Sequence, residues 1–351
     1  MVMMTQGRLL CLYSVLIFLG FTWFLSTFEY FCSNDELLEV RERQLDSYKQ
    51  QMTDKNREIE NVQSKVLEYE GKMQDYEEKI QRLSHLLQMK TCKPVAGDID
   101  PSLPTLYLIT PTYARLEQKA DLTRLSHTLL HVKNLHWIVI EDSDVKTRLV
   151  TNFLANCGIH NTHLNILTPP QVKLKTGDPQ WLKPRGVLQR NAGLTWIRTA
   201  LNPSKDKGVV YFADDDNTYS LELFEEMRQT QKVSVWPVGI VGGLRYESPT
   251  VKNGSVVGWH TFWKPERTFA LDMAGFAVNL SIIFSHSNAV FSNNVPRGYL
   301  ENSLLLELGV KLKDLEPRAD TCTKVLVWHT RTEKTKTKNE KITPSDINVE
   351  V

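Results

Sequence analysis

A seven-residue repeat of apolar side chains runs through residues 37–87, a stretch that contains no proline. One series consists of Leu38, Leu45, Met52, Ile59, Val66, Met73, Ile80 and Leu87. Three positions further on lies a second series, made up of Tyr48, Val62, Tyr69, Tyr76 and Leu83. Arg41 and Lys55 interrupt the second series. Two such series are the a and d positions of a coiled coil, so the repeat predicts one long helix that forms a rod-like dimer with a second copy of the chain.

An uncharged apolar run occupies residues 9–28, shortly before the repeat. A helix of about 20 apolar residues spans the roughly 30 Å hydrocarbon core of a bilayer. A cleavable signal peptide is the alternative, but no small-residue cleavage site follows the run. Arg8 precedes the run and Glu29 follows it, so the positive-inside rule leaves the N-terminus in the cytosol. The run predicts a single-pass type II membrane anchor with the rest of the chain in the lumen.

Charge and cysteine content remove two classes of function. The net charge of +1 at pH 7 gives no whole-molecule attraction for nucleic acid. The cysteines contain no C-x-x-C pair, so they indicate neither a zinc site nor a dense disulfide framework. They are Cys11, Cys32, Cys92, Cys157 and Cys322. Cys32 lies just beyond the apolar run, where an oxidising lumen would permit a disulfide between two chains.

The pattern of the chain changes near residue 100. Helix-breaking residues mark a linker at Pro94, Gly97, Pro101 and Pro104. Beyond the linker, β-rich runs occupy 104–111, 135–142, 164–169 and 208–214. Helical patterns alternate with these runs and begin at Ala114, Val187, Ser220 and Leu300. The alternation predicts an α/β domain with a mostly parallel sheet, whose ligand site lies beyond the carboxyl ends of its strands.

The last of these β-rich runs ends in three consecutive carboxylates, Asp214, Asp215 and Asp216. Crowded carboxylates repel one another, and a hard divalent cation among them relieves the repulsion while leaving positions open for phosphate oxygens. The alternative is a solvated acidic turn that caps the helix beginning near Tyr219. Taken alone, the triplet leaves both interpretations open.

The triplet lies in the motif YFADDDNTYS, and other long motifs accompany it. They are PTYAR at 111–115, ED at 141–142, PRGVLQRN at 184–191, GGLRYE at 242–247, DMAGFAV at 272–278 and VLVWHTRTEK at 325–334. Together, over residues 104–334, they resemble the β-1,3-glucuronosyltransferases, glycosyltransferase family 43. The resemblance implies a GT-A type fold with a mostly parallel central sheet.

The order of segments also resembles that of the family's Golgi enzymes. It implies a cytosolic tail at 1–8, a transmembrane helix at 9–28, and a coiled-coil stem and linker at 29–101. A UDP-sugar-binding half at 102–216, an acceptor-binding half at 217–334 and a polar tail at 335–351 complete the chain. A homodimer joined through the stem is the expected assembly. Asn253 and Asn279 head N-x-Ser sequons that a lumenal domain presents for glycosylation.

The resemblance implies transfer of glucuronic acid from UDP-glucuronic acid to the 3-hydroxyl of a terminal β-galactose, with Mn²⁺ and with inversion. The favoured acceptor is the Gal-Gal-Xyl linkage region on proteoglycan serine. Transfer to N-acetyllactosamine ends, as in HNK-1-type branches, and broad acceptor use are the alternatives. A catalytically inactive Golgi tether is an alternative of another class, and it predicts loss of Asp216 or Glu301, both of which are present.

The family pattern also assigns roles to individual residues. It gives Mn²⁺ to Asp216 and the role of catalytic base to Glu301. It assigns contacts with the UDP-sugar to Tyr113, Asp142, Arg185, Arg190, Asp214, Asp215, Arg297, His329 and Arg331. It assigns the acceptor to Glu247, Arg267 and Asp272. Without the family pattern, Glu301 would be explained as a carboxylate that stabilises the N-terminus of a helix.

Overall fold

The computed structural model describes residues 14, 16–22, 35–90, 100–174, 178, 182–346 and 349–350. Most of the apolar run at 9–28, most of the linker, Cys11, Cys32 and Cys92 lie outside these residues. Residues 16–22 are helical. Within the described part of the chain, no helix is both long enough and apolar enough to cross a membrane.

A single helix, α1, runs from Asp35 to Lys90, and it confirms the helix expected from the repeat. Its apolar side chains at Leu45, Met52, Ile59 and Val62 are exposed by half or more of their surface. The dimer that would cover them stays a prediction. The chain divides into two compact units, Met1–Leu87 and Gln88–Val351, and the fold that follows is that of the second unit.

The second unit is a mixed α/β domain. Its strands are β1 (Thr105–Thr112), β2 (Leu135–Glu141), β3 (Asn161–Asn165), β4 (Gly208–Phe212), β5 (Thr218–Tyr219), β6 (Val233–Val235), β7 (Val238–Gly239), β8 (Tyr246–Lys252), β9 (Ser255–His260), β10 (Phe276–Asn279), β11 (Leu315–Pro317) and β12 (Val327–Trp328). Its helices are α2 (Gln118–Leu129), α3 (Arg148–Asn156), α4 (Val187–Ala200), α5 (Leu221–Arg228), α6 (Leu280–Ser285), α7 (Leu300–Glu307) and α8 (Ala319–Cys322). Short 3-10 turns lie at Met273–Gly275, Leu312–Asp314 and Lys338–Lys341.

The central sheet has seven strands in the order β11-β6-β10-β4-β1-β2-β3. Strands β4, β1, β2 and β3 pair in parallel, which confirms the mostly parallel sheet. Strand β10 runs antiparallel to both of its neighbours, β4 and β6, and the alternation of sequence patterns did not indicate it. A second sheet, ordered β5-β12-β7-β8-β9, was also not predicted, because several of its strands are two residues long.

Two of the expected elements have boundaries that differ by more than two residues from those found. The helical pattern expected from Ala114 begins at Gln118. The β-rich run expected from Leu164 is strand β3, which begins at Asn161 and ends at Asn165. Polar residues at the start of β3 concealed its pairing with β2, since a half-buried edge strand needs few apolar residues.

Both faces of the central sheet are buried, as parallel sheets require. On β1, Leu108 packs in the cluster that includes residues of α2, α3 and α5, whereas Ile109 packs in the cluster that includes residues of α4. Successive residues of a strand point to opposite faces, so one apolar strand supplies both hydrophobic layers. The layers hold the carboxyl ends of β1, β2 and β4 side by side.

The two sequons differ in accessibility. Asn253 is exposed in the turn between β8 and β9, where its φ of 50° and the following Gly254 form the bend. The side chain of Asn279 instead caps α6 and donates to the carbonyl of Thr230 at 2.9 Å. Asn253 is therefore the more accessible acceptor for a glycan.

Substitution of Gly208 by Ala should destabilise the domain. An added Cβ would lie 2.2 Å from the backbone oxygen of Thr105, in the pairing of β4 with β1. Such overpacking typically lowers the free energy of unfolding by about 1–3 kcal/mol. The matched control is Gly258→Ala in β9, where nothing lies within 4 Å of the added Cβ. Thermal unfolding of the two variants should show a lower melting temperature for Gly208→Ala alone, and equal values would contradict the close approach.

Candidate active site

Three parallel strands end in polar residues at one edge of the central sheet. Thr112 ends β1, Glu141 ends β2, and β4 leads through Ala213 into the aspartate triplet. The side chains that follow strands β1, β2 and β4 therefore meet in the crevice where ligands of α/β sheets bind.

Arginines neutralise two members of the aspartate triplet. Arg190, on α4, donates to the carboxylate of Asp214. Asp215 lies 2.9 Å from Nη2 of Arg115 and accepts from the hydroxyl of Thr112 at 2.7 Å. Guanidinium groups suit this role because their planar donor fork stays charged when buried.

Among the described residues, no group of three or more acidic, histidine or cysteine side chains surrounds one point as a metal site. The triplet does not act as one chelating cluster, because Asp214 and Asp215 face different arginines. The capping alternative also finds no support, since the hydroxyl of Ser220 caps α5.

Asp216 remains without a hydrogen-bond donor on its carboxylate in the described part of the chain. Burial, and then the charge of Asp214, raise the pKa of Asp216. The adjacent Asn217 carries a buried side-chain oxygen with no hydrogen-bond partner among the described residues. Oxygen ligands of this kind suit a hard divalent cation, which in phosphate sites is commonly held by one or two carboxylates together with the substrate phosphates. The donor set at Asp216 fits such a cation.

Asp215 is more deeply buried, with 6% of its surface exposed. Burial raises the pKa of its carboxyl group to about 6, although the charge of Arg115 opposes this shift. Asp215 belongs to residues 213–217, which we call the triplet loop. Its carboxylate accepts from the hydroxyl of Thr112 and forms an ion pair with Arg115.

Arg190 is placed by the turn that precedes α4. Its Nη1 donates to the carbonyl of Arg185 at 2.8 Å. Gly186 lies between them with a φ of 72°, and a Cβ there would lie 2.7 Å from Nη1 of Arg190. The glycine in the PRG sequence therefore permits the close approach of the guanidinium to Asp214.

The structure brings Tyr113 and Asp142 to the same edge of the sheet. The Tyr113 ring is 44% exposed, with the guanidinium of Arg115 4.7 Å from its centroid. Asp142 accepts from the backbone amide of Thr168 at 2.6 Å and lies 3.6 Å from Nζ of Lys173. An exposed ring beside a fixed carboxylate can contact the face and the edge of a planar base.

His329 follows β12 and faces the carboxylate of Asp272, with Nδ1 of the ring 3.3 Å from Oδ2. The contact with Asp272 raises the pKa of His329 against the effect of burial. Burial would raise the pKa of Asp272, but His329 outweighs it, so that pKa is lowered. Arg331 lies two residues on and is exposed.

Glu301 occupies the first turn of α7. Burial, followed by the charge of Asp272, raises the pKa of its carboxyl group to about 7, while Arg267 and Arg190 oppose the shift. A carboxyl group with a pKa near neutrality can exchange a proton with a reacting hydroxyl. This shift is opposite in direction to the one that a helix N-terminus would produce, since the helix dipole stabilises the ionised form and would lower the pKa.

Of the other acceptor candidates, Asp272 and Arg267 are charged groups that act on the pKa of Glu301. Glu247, on β8, accepts from the hydroxyl of Thr261 at 2.5 Å, and burial raises its pKa. Arg267 is 7% exposed and donates to the carbonyls of Lys264, Trp263 and Gly298. Arg267 therefore ties the 263–267 turn to the segment before α7.

Arg297 lies over the ring of Trp263, with its guanidinium carbon 4.4 Å from the ring centroid. Gly298 follows with a φ of 84°, and a Cβ there would lie 2.5 Å from Nε1 of Trp263. The indole is 37% exposed, so it is a surface group at the edge of the acceptor region.

Several polar residues of the site were not singled out from the sequence, among them Thr112, Arg115, Asp121, Asn217 and Thr330. Arg115 and Thr112 stand in the PTYAR motif, which was recognised for Tyr113 alone. Asp121 lies in the first turn of α2 and looks in the sequence like a solvated charge, yet its side chain is fully buried. Contacts between residues far apart in the chain, such as Thr112 with Asp215, leave no pattern in the local sequence that would predict them.

An α/β domain with carboxylates and arginines at its strand ends, and with a carboxyl group of near-neutral pKa on α7, has the features of an enzyme active site. The family model described as glycosyltransferase family 43 matches residues 125–333. This chain belongs to that family. Its members transfer a sugar from an activated donor to an acceptor.

Individual relatives extend the match along most of the chain. The chain is 58% identical over 248 residues to galactosylgalactosylxylosylprotein 3-beta-glucuronosyltransferase 3 of Mus musculus, covering 68% of this chain and 74% of the relative. It is 54% identical to the sqv-8 enzyme of the same name from Caenorhabditis elegans, covering 70% and 68%. It is 57% identical to the human enzyme numbered 1, covering 68% and 72%.

Replacement of Glu301 by Gln should stabilise the protein at alkaline pH. Because the folded-state pKa of about 7 exceeds the ordinary value of 4.5, ionisation of Glu301 removes stability as the pH rises between these values. The neutral amide escapes this loss. Melting temperatures should therefore be higher for Glu301→Gln than for the parent at pH 8 and nearly equal at pH 4.5. A lower melting temperature of the variant at pH 8 would contradict a buried, destabilising carboxylate.

Proposed function

We propose that this protein transfers glucuronic acid from UDP-glucuronic acid to the 3-hydroxyl of a terminal β-galactose, with inversion at the sugar carbon. The names of the relatives, which describe 3-beta-glucuronosyltransferases of galactosylgalactosylxylosylprotein, support this reaction. The observation that carries the proposal combines two groups. On the donor side, the carboxylate of Asp216 has no hydrogen-bond donor among the described residues, and on the acceptor side, the carboxyl group of Glu301 has a pKa of about 7.

The donor occupies the crevice at the ends of β1, β2 and β4, as in a GT-A type fold. Tyr113 and Asp142 hold the uracil, while Asp214 and Asp215 complete the nucleoside end of the site. A Mn²⁺ ion held by Asp216 would supply charge neutralisation on the departing diphosphate. By the family pattern, His329, Arg331 and Arg297 contact the diphosphate and add preorganised positive charge. Arg185 and Arg190 lie near the donor.

Glu301 is the catalytic base. Its carboxylate accepts the proton of the acceptor 3-hydroxyl as that oxygen forms a bond to the sugar carbon and the bond to the UDP oxygen breaks. Inversion requires one attack from the face opposite the leaving group, so a single base suffices. Burial keeps the pKa of Glu301 near the pH at which the base must work.

Glu247 and Asp272 bind the terminal galactose, and Arg267 fixes the turn around it. Asp272 links the two halves of the site because it contacts His329 and also shifts the pKa of Glu301. The favoured acceptor is the Gal-Gal-Xyl linkage region of proteoglycans.

The protein is further proposed to be a Golgi type II membrane protein, anchored by residues 9–28 and dimerised through α1. Lys65 at a g position and Glu70 at the following e position would pair between parallel, in-register helices. Protease protection of tagged termini in sealed Golgi vesicles tests the orientation. Sedimentation of a peptide of residues 35–90 tests the dimer, and a monomer at micromolar concentration would contradict it.

The function is tested with the full-length protein in detergent, supplied with UDP-glucuronic acid and Mn²⁺. Galβ1-3Gal and Galβ1-4GlcNAc acceptors are compared side by side. Preference for Galβ1-3Gal is expected. Preference for Galβ1-4GlcNAc would assign the enzyme to the HNK-1-type branch, and comparable rates would indicate a broad acceptor range. No transfer to either acceptor would refute the proposal.

Glu301→Gln should abolish transfer while UDP binding in the presence of Mn²⁺ persists. In the parent enzyme, the logarithm of kcat/KM should fall with unit slope against pH below about 7, since the base must be ionised. Asp216→Asn serves as the matched variant, with the opposite expectation of weakened metal-dependent UDP binding. Loss of UDP binding in Glu301→Gln would mean that Glu301 is a structural residue.

Gly242→Ala should raise the KM for the acceptor. Its added Cβ would lie 2.2 Å from Oε1 of Glu247, so the flexible carboxylate must move. Gly243→Ala is the control, because it has a similar positive φ, 76° against 63°, but nothing lies within 4 Å of its Cβ. Both variants bear a similar backbone strain of about 1–2 kcal/mol. Equal acceptor KM values in the two variants would contradict the role of Glu247.

A further inference from the structure

The segment that follows β12 carries two of the proposed donor-binding cations, His329 and Arg331. Strand pairing ends at Trp328, and the amide of His329 makes one more bond, to the carbonyl of Gly239 at 2.9 Å. Among the described residues, 331–334 make no backbone–backbone hydrogen bond. Secondary structure therefore does not determine the position of Arg331.

Two threonine hydroxyl groups anchor this segment instead. The hydroxyl of Thr330 donates to the backbone carbonyl of Asp216 at 2.6 Å. The hydroxyl of Thr332 donates to Oδ1 of Asp121 at 2.5 Å. The anchors lie on either side of Arg331 and directly after His329, and one of them ends on Asp216, the residue proposed to hold the cation.

The second anchor ends on a fully buried carboxylate. Asp121 is 0% exposed and receives Nη2 of Arg115 at 2.6 Å and Nη2 of Arg124 at 3.0 Å. The same nitrogen of Arg115 lies 2.9 Å from Asp215. A chain of charge-assisted hydrogen bonds thus leads from Thr332 through Asp121 and Arg115 to the aspartate triplet, and such bonds are about twice as strong as neutral ones.

Arg124 closes the arrangement. Its Nη2 lies within 3.3 Å of both the hydroxyl of Thr332 and the carbonyl of Asp216. The segment after β12 and the triplet loop are therefore held to one another by helix α2.

We propose that Thr332 and Asp121 are positioning residues for the donor. The hydroxyl of Thr332, seated on the Asp121 carboxylate, fixes the segment that presents His329 and Arg331 to the diphosphate. This inference rests on the proposed use of a UDP-sugar donor, and it concerns residues that do not themselves touch the substrate.

The test is Thr332→Val in the full-length protein, which replaces a hydroxyl by a methyl group of similar size. Loss of a hydrogen bond to a buried carboxylate should raise the KM for UDP-glucuronic acid and the Kd for UDP with Mn²⁺ at least about tenfold. The acceptor KM should stay within about twofold of the parent, because Glu247 and Glu301 lie on other elements. Thr332→Ser retains the hydroxyl and should restore donor affinity.

The matched control is Thr335→Val in the same segment. Thr335 contacts Glu117 through its backbone amide, at 2.6 Å, and through its side chain. The substitution keeps the amide bond and removes a side-chain contact that ends on Glu117 and not on Asp121. The control should bind donor as the parent does.

Unchanged donor affinity in Thr332→Val, equal losses in Thr332→Val and Thr335→Val, or a parallel loss of donor and acceptor affinity would each overturn the positioning role. If the parent protein binds no UDP with Mn²⁺, the proposed function falls and this inference falls with it.

Discussion

The ion pairs of Arg190 with Asp214 and of Arg115 with Asp215 are the interactions on which the site depends. Three consecutive carboxylates at the end of a buried strand would repel one another, and the desolvation of unpaired charges is costly. The arginines come from α4 and from the loop after β1, so the charge balance requires the central sheet to be assembled. Once two carboxylates are paired with arginines, the third, Asp216, is left available for the proposed cation.

Asp272 has a comparable role between the two halves of the site. Its carboxylate faces His329, which belongs to the donor side, and its charge helps raise the pKa of Glu301 on the acceptor side. A single partly buried anion thus favours the protonated form of a histidine and of a carboxyl group at once. The proton affinities of the two sides are coupled through this residue, and they set the pH range in which the proposed base is ionised.

The sequence predicted those elements whose signals are local. The repeat at 37–87 became the helix Asp35–Lys90, and the helices expected from Val187 and Leu300 begin at those residues. The antiparallel strand β10 and the short strands of the second sheet were missed, because two- to four-residue strands have too few positions for a periodic pattern. The start of β3 was misplaced for a related reason, since its polar residues lie at the edge of the sheet.

The sequence by itself determined the family, the proposed donor and base residues, and the change from a rod-like helix to an α/β domain near residue 100. It did so because long contiguous motifs and heptad periodicity are properties of neighbouring residues. Only the tertiary structure decided which carboxylates of the triplet pair with arginines, and that Thr332 reaches Asp121 across 211 positions of the chain. Those contacts join residues distant in sequence, and neither a motif nor a period encodes the distance between them.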